Sequence, residues 1–395
     1  MSWDGHARGS RAYRRILAGL FFAGVSTFAQ LYSPQALLPE ISAELGVEPA
    51  TAALTLSVAT LGLAAGVLPW SVLADRLGRV RSMVISLSGA SLLGLLVPFA
   101  PSIPLLLGGR FLEGAFLAGV PAAAIAFLQE EIRRADAGRA AGIYVAGTSV
   151  GGLLGRVVAG PVGEAVSWRV GMLTVAVLCA LSALAFTVLV PRPRGFARPE
   201  AGSAAARLGH RLTASIRSPR LLTLYAQGFL LMGAFVALYN YLGFRLIGDP
   251  FWLPQIVVSL IFFAYLAGTL SASRAGAFAT RWGWQRVLVG SAVVMAVGVL
   301  LTLVDSLPVV FAGLLVATAG FFAAHAVASG WTGREATVGR AQAASLYNLA
   351  YYAGSSLFGW LGGVALVSGG WGAVVAIIVA LVAVAAVLAA LVLRD

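Results

Sequence analysis

Arg110 and Glu113 are the residues best placed to do chemistry, because they are charges set three residues apart in an otherwise uncharged apolar run. That spacing puts them on one face of a helix. A neighbouring guanidinium favours the ionised carboxylate, and separation of the two favours its protonation. Such a pair can therefore take up and release a proton. It can equally be a mutually satisfied structural pair, with Arg156 as a third member. Arg156 is itself isolated in an apolar run and needs an acceptor; Glu113 or an anionic ligand group would serve. His325 also falls in an apolar run. Imidazole titrates near neutral pH, so it is either a proton-coupling group or a hydrogen-bonded structural histidine.

A second set is polar and aromatic. It comprises Gln30, Tyr32 and Gln35, then Tyr239, Asn240, Tyr241 and Arg245, then Tyr265, and finally Asn348, Tyr351 and Tyr352. Ligand pockets combine apolar walls with a few placed polar groups, and this set suits one. Tyrosines near helix ends, such as Tyr241, also suit an interfacial aromatic belt. Other chemistries find no residues. There is no nucleotide-binding loop, no metal-ligand spacing and no Ser/His/Asp set. The single Cys179 lies in an apolar run and needs no thiol chemistry. Neither an enzyme nor a cofactor or metal is expected.

The elements that must position these residues follow from composition. The 395 residues are 59% hydrophobic and 11% charged, with a mean hydropathy of +0.91. Soluble domains carry about 25% charged residues, so an ordinary soluble protein is excluded. A membrane span needs about 20 apolar residues. Uncharged stretches cover 16–39, 49–74, 82–109, 170–191, 221–244, 250–273, 287–304 and 341–393. Pro98, Pro101 and Pro104 divide one stretch, and Ser368-Gly369-Gly370 divides the last. With lightly charged runs near 104–128, 140–162 and 309–329, the chain should form twelve helices. The first apolar run is too long for a signal peptide and lacks a cleavage site, so it is expected to be the first helix.

The net charge is +12 and every basic residue is Arg. With both termini cytoplasmic, nearly all of them fall in inside segments: residues 8–15, 76–81, 133–139, 192–220, 274–286, 334–340 and 394. Only Arg169 falls outside, while Arg110, Arg156 and Arg245 are left at membrane depth. This asymmetry orients the chain by the positive-inside rule and removes a nucleic-acid partner from consideration. The bilayer and a small-molecule substrate are the expected partners, with the chain as a monomer.

Residues 191–220 are the one composition break and read as a cytoplasmic linker between halves 1–190 and 221–395. The halves echo each other. Asp75-Arg76-Leu77-Gly78-Arg79-Val80-Arg81 is matched by Thr280-Arg281-Trp282-Gly283-Trp284-Gln285-Arg286. Gly19, Gly24 and Tyr32 match Gly228, Gly233 and Tyr241, and Tyr144 and Gly151 match Tyr347 and Gly354. Parallel repeats of this kind place a substrate site near the midplane and work by alternating access.

These residues resemble the major facilitator superfamily over essentially the whole chain. Residues Ser71 to Arg81 are similar to its loop 2–3 signature, with Ser71 for the usual leading Gly. Arg110-Phe111-Leu112-Glu113-Gly114 with Gly119 resembles its helix-4 signature. Gly142, Gly151, Gly155 and Gly160 resemble the antiporter signature, but Gly155-Arg156 stands where that signature has Gly-Pro. The segments from Gln30 to Pro39, Gly228 to Gly233 and His325 to Ser329 resemble the bacterial YnfM-type branch, which is grouped with drug and sugar efflux permeases.

The resemblance implies an all-α membrane protein with two pseudo-symmetric six-helix bundles. It further implies a proton-driven exporter of small organic molecules in a bacterial inner membrane. An uptake symporter or uniporter for a small metabolite or organic anion stays open, as does a lipid-handling protein. Within the resemblance, Asp75, Arg76, Gly78 and Arg79 form a conformational latch between halves, with Glu130 or Glu131 pairing with Arg79. Glu113, His325 and Arg110 are the proton-coupling candidates. Gln30, Tyr32, Gln35, Arg156, Tyr239, Asn240, Asn348 and Tyr351 are the substrate-binding ones.

Overall fold

The structure is a computed structural model that describes residues 3–196, 215–337 and 339–394. Residues 197–214 of the expected linker, with His210, Arg198, Arg207 and Arg211, lie outside the described residues. Among those described, eleven helices are long and apolar enough to cross a membrane. They are α1 (Arg11–Leu45), α2 (Pro49–Leu77), α3 (Arg79–Phe99), α4 (Ile103–Glu131), α5 (Arg134–Ala165), α6 (Trp168–Leu189), α7 (Pro219–Ile247), α8 (Gln255–Trp282), α9 (Trp284–Leu301), α10 (Leu307–Glu335) and a last stretch, Arg340–Val392. That stretch is interrupted at Gly369 and Gly370, whose backbones are not helical. It therefore holds α11 (340–368) and α12 (371–392), and the expected twelve spans are present.

Local chemistry sets the ends. The side chains of Ser10, Ser167 and Ser218 accept hydrogen bonds from the backbone N–H of Tyr13, Val170 and Leu221, capping α1, α6 and α7. Pro219 follows its cap at the first helical position, where no N–H is needed. Pro98 closes α3 in a 3₁₀ turn, and Pro104 opens α4. Gly78 and Gly283 make the tight α2–α3 and α8–α9 junctions at φ +94° and +96°. A side chain is strained in that region, so the repeat seen in the sequence is a repeat of backbone geometry.

By contact the chain divides into two compact units, residues 1–41 with 58–199 and residues 42–57 with 200–395. In the first unit, Gly147, Gly151 and Gly155 of α5 lie against the carbonyls of Phe21, Val25 and Ala29 of α1. A Cβ at any of the three would overlap backbone, so these glycines let α5 and α1 approach as small residues do in membrane helix pairs. In the second unit, Gly354 of α11 meets the backbone of Phe229 on α7, and Gly233 of α7 meets Phe358 on α11. Gly151 and its match Gly354 thus perform the same packing in each half, whereas Gly19 meets Phe186 and Val190 at the end of α6 and its match Gly228 meets Tyr347 of α11.

Candidate functional site

The first unit buries its charges around a break in α1. Pro34 has no N–H, so the carbonyl four residues before it, that of Gln30, loses its helical donor. The chain passes into a 3₁₀ turn over Ser33–Leu37. The carbonyls left by this change are taken up by Arg110 of α4. Its Nη2 donates to Leu31 O at 2.7 Å and its Nη1 to Gln30 O at 3.3 Å. Nη1 also donates to Glu113 Oε2 at 2.6 Å. The other carboxylate oxygen, Oε1, accepts from Gln30 Nε2 at 2.6 Å, and the same amide nitrogen donates to Ala90 O of α3 at 2.5 Å. Arg110 is 0% and Glu113 1% exposed. Removing two charges from water costs several kcal/mol per ion; the contacts around this pair offset that cost.

Arg156 forms a separate group. Its Nε donates to Gln35 Oε1 at 2.6 Å, its Nη1 donates to Gly152 O, and its guanidinium lies 4.1 Å over the Tyr32 ring. Gln35 sits in the 3₁₀ turn that Pro34 starts, so one proline shapes both groups. Glu113 is held by Arg110 and Gln30; Arg156 is therefore not a third member of the Arg110–Glu113 pair. Gln30, a substrate-binding candidate from the sequence, is buried and its amide nitrogen faces the carboxylate.

The second unit assembles aromatic rings. Tyr239 of α7 shares a 2.7 Å hydrogen bond with the Thr318 hydroxyl of α10 and stacks on Phe262 of α8. Phe235 stacks on Phe321 at 3.9 Å between centroids. His325 of α10 stacks on Phe321, its Nδ1 hydrogen-bonds the Tyr347 hydroxyl at 2.9 Å, and its ring lies 4.9 Å from that of Tyr351. Tyr265 packs against Phe235 and Phe322. Asn240 and Tyr352 are buried, Tyr351 is half-buried, and Asn348 is exposed.

Two expectations need correction. Tyr241 is not in an interfacial belt: it is fully buried and its hydroxyl donates to Gly359 O. Arg245, left at membrane depth by the sequence, lies in the last turn of α7. It pairs with the exposed Asp305 at 2.7 Å, beyond the end of α9. A long arginine at a helix end reaches a partner outside the apolar region at little cost.

At the α2–α3 junction, Arg79 pairs with Asp75 and, at 2.9 Å, with Glu130 at the end of α4. Glu130 thus takes Arg79. Glu131 is buried and accepts instead from the backbone N–H groups of Arg194 and Gly195, both at 2.6 Å. The Arg79 guanidinium lies 5.7 Å from the Phe196 ring centroid, and Phe196 packs beside Gly78. Arg76 is exposed. The role of residues 194–196 gave no sequence signal, because backbone N–H groups carry no residue signature.

Twelve apolar spans in two glycine-packed repeats, with a buried ion pair in the fourth, define a polytopic membrane transporter. Comparison with known proteins gives the family. The Major Facilitator Superfamily profile matches residues 20–254, and the chain belongs to that superfamily. It is 40% identical over 371 residues to the inner membrane transport protein YnfM of Escherichia coli, covering 94% of this chain and 88% of that one. It is 38% identical over 357 residues to the MFS-type transporter YybF of Bacillus subtilis, covering 90% and 88%. The multidrug efflux pump LfrA of Mycolicibacterium smegmatis matches at 33% over 159 residues, which is 40% of this chain and 31% of LfrA. Among solved structures, nucleoside transporter NupG superposes with a TM-score of 0.80 at 15% identity, over 96% of this chain and all of that one. At that identity the likeness is one of fold.

Proposed function

We propose that the chain is a proton-coupled exporter of small organic molecules, working by alternating access as a monomer in a bacterial inner membrane with both termini cytoplasmic. The observation that carries this reading is the buried Arg110–Glu113 pair, with both carboxylate oxygens held by donors. An ionisable pair inside a span is costly and serves function more often than structure. Glu113 takes the proton, Arg110 stabilises the carboxylate left when it departs, and His325 is a second coupling candidate. Tyr32, Gln35 and Arg156 of one unit, and Tyr239, Asn240, Asn348 and Tyr351 of the other, are the substrate-binding candidates. Asp75, Arg76, Gly78, Arg79 and Glu130 act as the conformational latch; Glu131 supports it by holding residues 194 and 195. The sequence likeness to an efflux pump over part of the chain favours export.

The test is flux of a fluorescent amphipathic dye in proteoliposomes under an imposed pH gradient. Wild-type protein is expected to drive the dye against its own gradient, opposite to proton flow. Glu113→Gln is expected to leave only downhill movement that no longer responds to pH. Dye movement in the same direction as protons would establish uptake instead, and gradient-independent movement of a labelled lipid would establish lipid handling. Full proton-driven flux in Glu113→Gln would remove Glu113 from the mechanism.

A further inference from the structure

The Gln30 side chain has one feature that packing does not explain. Its Nε2 makes two hydrogen bonds, to Glu113 Oε1 and Ala90 O, while its Oε1 is buried with no partner. The residue is 2% exposed. A buried amide oxygen without a donor costs free energy, and buried polar groups are almost always satisfied. An acceptor left waiting beside a carboxylate has an evident donor: the O–H that forms when that carboxylate is protonated.

We propose that Gln30 is the positioning residue of the proton site, an amide that turns between two hydrogen-bond patterns as Glu113 gains and loses its proton. This rests on Glu113 being the proton carrier. With Glu113 ionised, Gln30 donates through Nε2 to carboxylate Oε1 while Arg110 donates to Oε2. A proton arriving at Oε1 would set a new O–H donor against the amide donor. The final torsion of a glutamine is broad and roughly two-fold, so the amide can turn and present its own Oε1. Both Nε2 bonds break, the one to Glu113 Oε1 and the one to Ala90 O, the carboxyl O–H donates to the amide oxygen, and the proton leaves by the reverse path. No electron changes hands and no co-reactant is needed. Gly94 of α3 makes the room: a Cβ there would overlap Gln30 Nε2. Among the described residues, the charged or titratable groups facing Glu113 are Arg110 on its own helix and the Cys179 thiol of α6. From α1 and α3 it meets Gln30 and Gly94, which do not titrate.

The test is a pH titration of the full-length protein in lipid nanodiscs by infrared difference spectroscopy, which needs no transported ligand. The carboxyl band of protonated Glu113 is identified by its loss in Glu113→Gln. In Gln30→Leu and in the near-isosteric Gln30→Met, the carboxylate loses a donor. The band's midpoint is then expected to move to higher pH by about one unit, a tenfold tighter hold on the proton. Gly94→Ala, which displaces the amide without altering residue 30, is expected to shift it the same way and serves where a Gln30 variant does not fold. A midpoint unchanged from wild type in a folded variant overturns the role of Gln30 and leaves Glu113 as carrier. Absence of any Glu113-dependent band in the wild-type protein overturns the carrier reading and this one with it.

Discussion

At the scale of single residues, Arg110 and Glu113 are worth more to each other than either is alone. Each is buried beyond reach of water, so deleting one strands a charge. Breaking a buried pair from one side costs about 3–5 kcal/mol, whereas replacing both members by apolar residues is often close to neutral. Arg110→Met is therefore expected to lower the thermal unfolding midpoint of the purified protein clearly. Arg110→Met with Glu113→Leu should recover most of that loss while transport stays absent. A double variant no more stable than the single one would mean that the carbonyls of Gln30 and Leu31, not the carboxylate, are what Arg110 holds. The pair itself was legible from its three-residue spacing. Gln30 was legible only as a substrate-binding candidate, since nothing in a sequence says which way an amide turns.

At the scale of elements, Pro34 and the α5 glycines do most of the positioning. The 3₁₀ turn at Ser33–Leu37 leaves two α1 carbonyls to Arg110 and brings Gln35 to Arg156. Pro34→Ala restores a backbone N–H and is expected to extend α1 as regular helix. Gradient-driven flux should fall although no charged residue has changed. Normal flux with an intact fold would show that the turn is not needed. On α5, Gly151→Val would place a branched side chain into the Val25 carbonyl of α1. Overpacking of this kind costs about 1–3 kcal/mol, readable as a lower unfolding midpoint. Gly142 is a control, since open space surrounds it and Gly142→Ala should be near neutral. The sequence marked both as glycines of one signature; which of them touches a neighbour depends on which helix face is turned inward.

At the scale of the whole molecule, the two repeats share a frame and differ in what is mounted on it. Gly78 and Gly283 turn the chain alike. Around the first turn Arg79 joins Asp75 and Glu130. Around the second, Trp284 takes the place matched to Arg79 and lies 4.5 Å under the Arg334 guanidinium, while Glu335 pairs with Arg220. The acid of the signature thus exists only in the first repeat, and the proposed latch is one-sided. Asp75 is 43% exposed, and an exposed ion pair contributes only about 0–1 kcal/mol to stability. Asp75→Asn is therefore expected to leave the unfolding midpoint nearly unchanged yet reduce transport and alter the labelling of introduced surface cysteines. Unchanged transport and labelling would reduce the junction to plain charge anchoring.

The sequence by itself determined the membrane class, the number of spans, the internal repeat and the break at Gly369-Gly370. These depend on local composition: apolar length, proline and glycine placement, and the distribution of arginine. The sequence also singled out Arg110, Glu113, Arg156 and His325, because a charge or imidazole in an apolar run is conspicuous wherever the chain goes. Only the tertiary structure decided partnership. It gave Glu113 to Gln30 rather than Arg156, Arg79 to Glu130 rather than Glu131, and Arg245 to Asp305 at a helix end. Hydrogen bonds depend on the distance and direction between helices far apart in the chain, and those follow from how the packed faces meet.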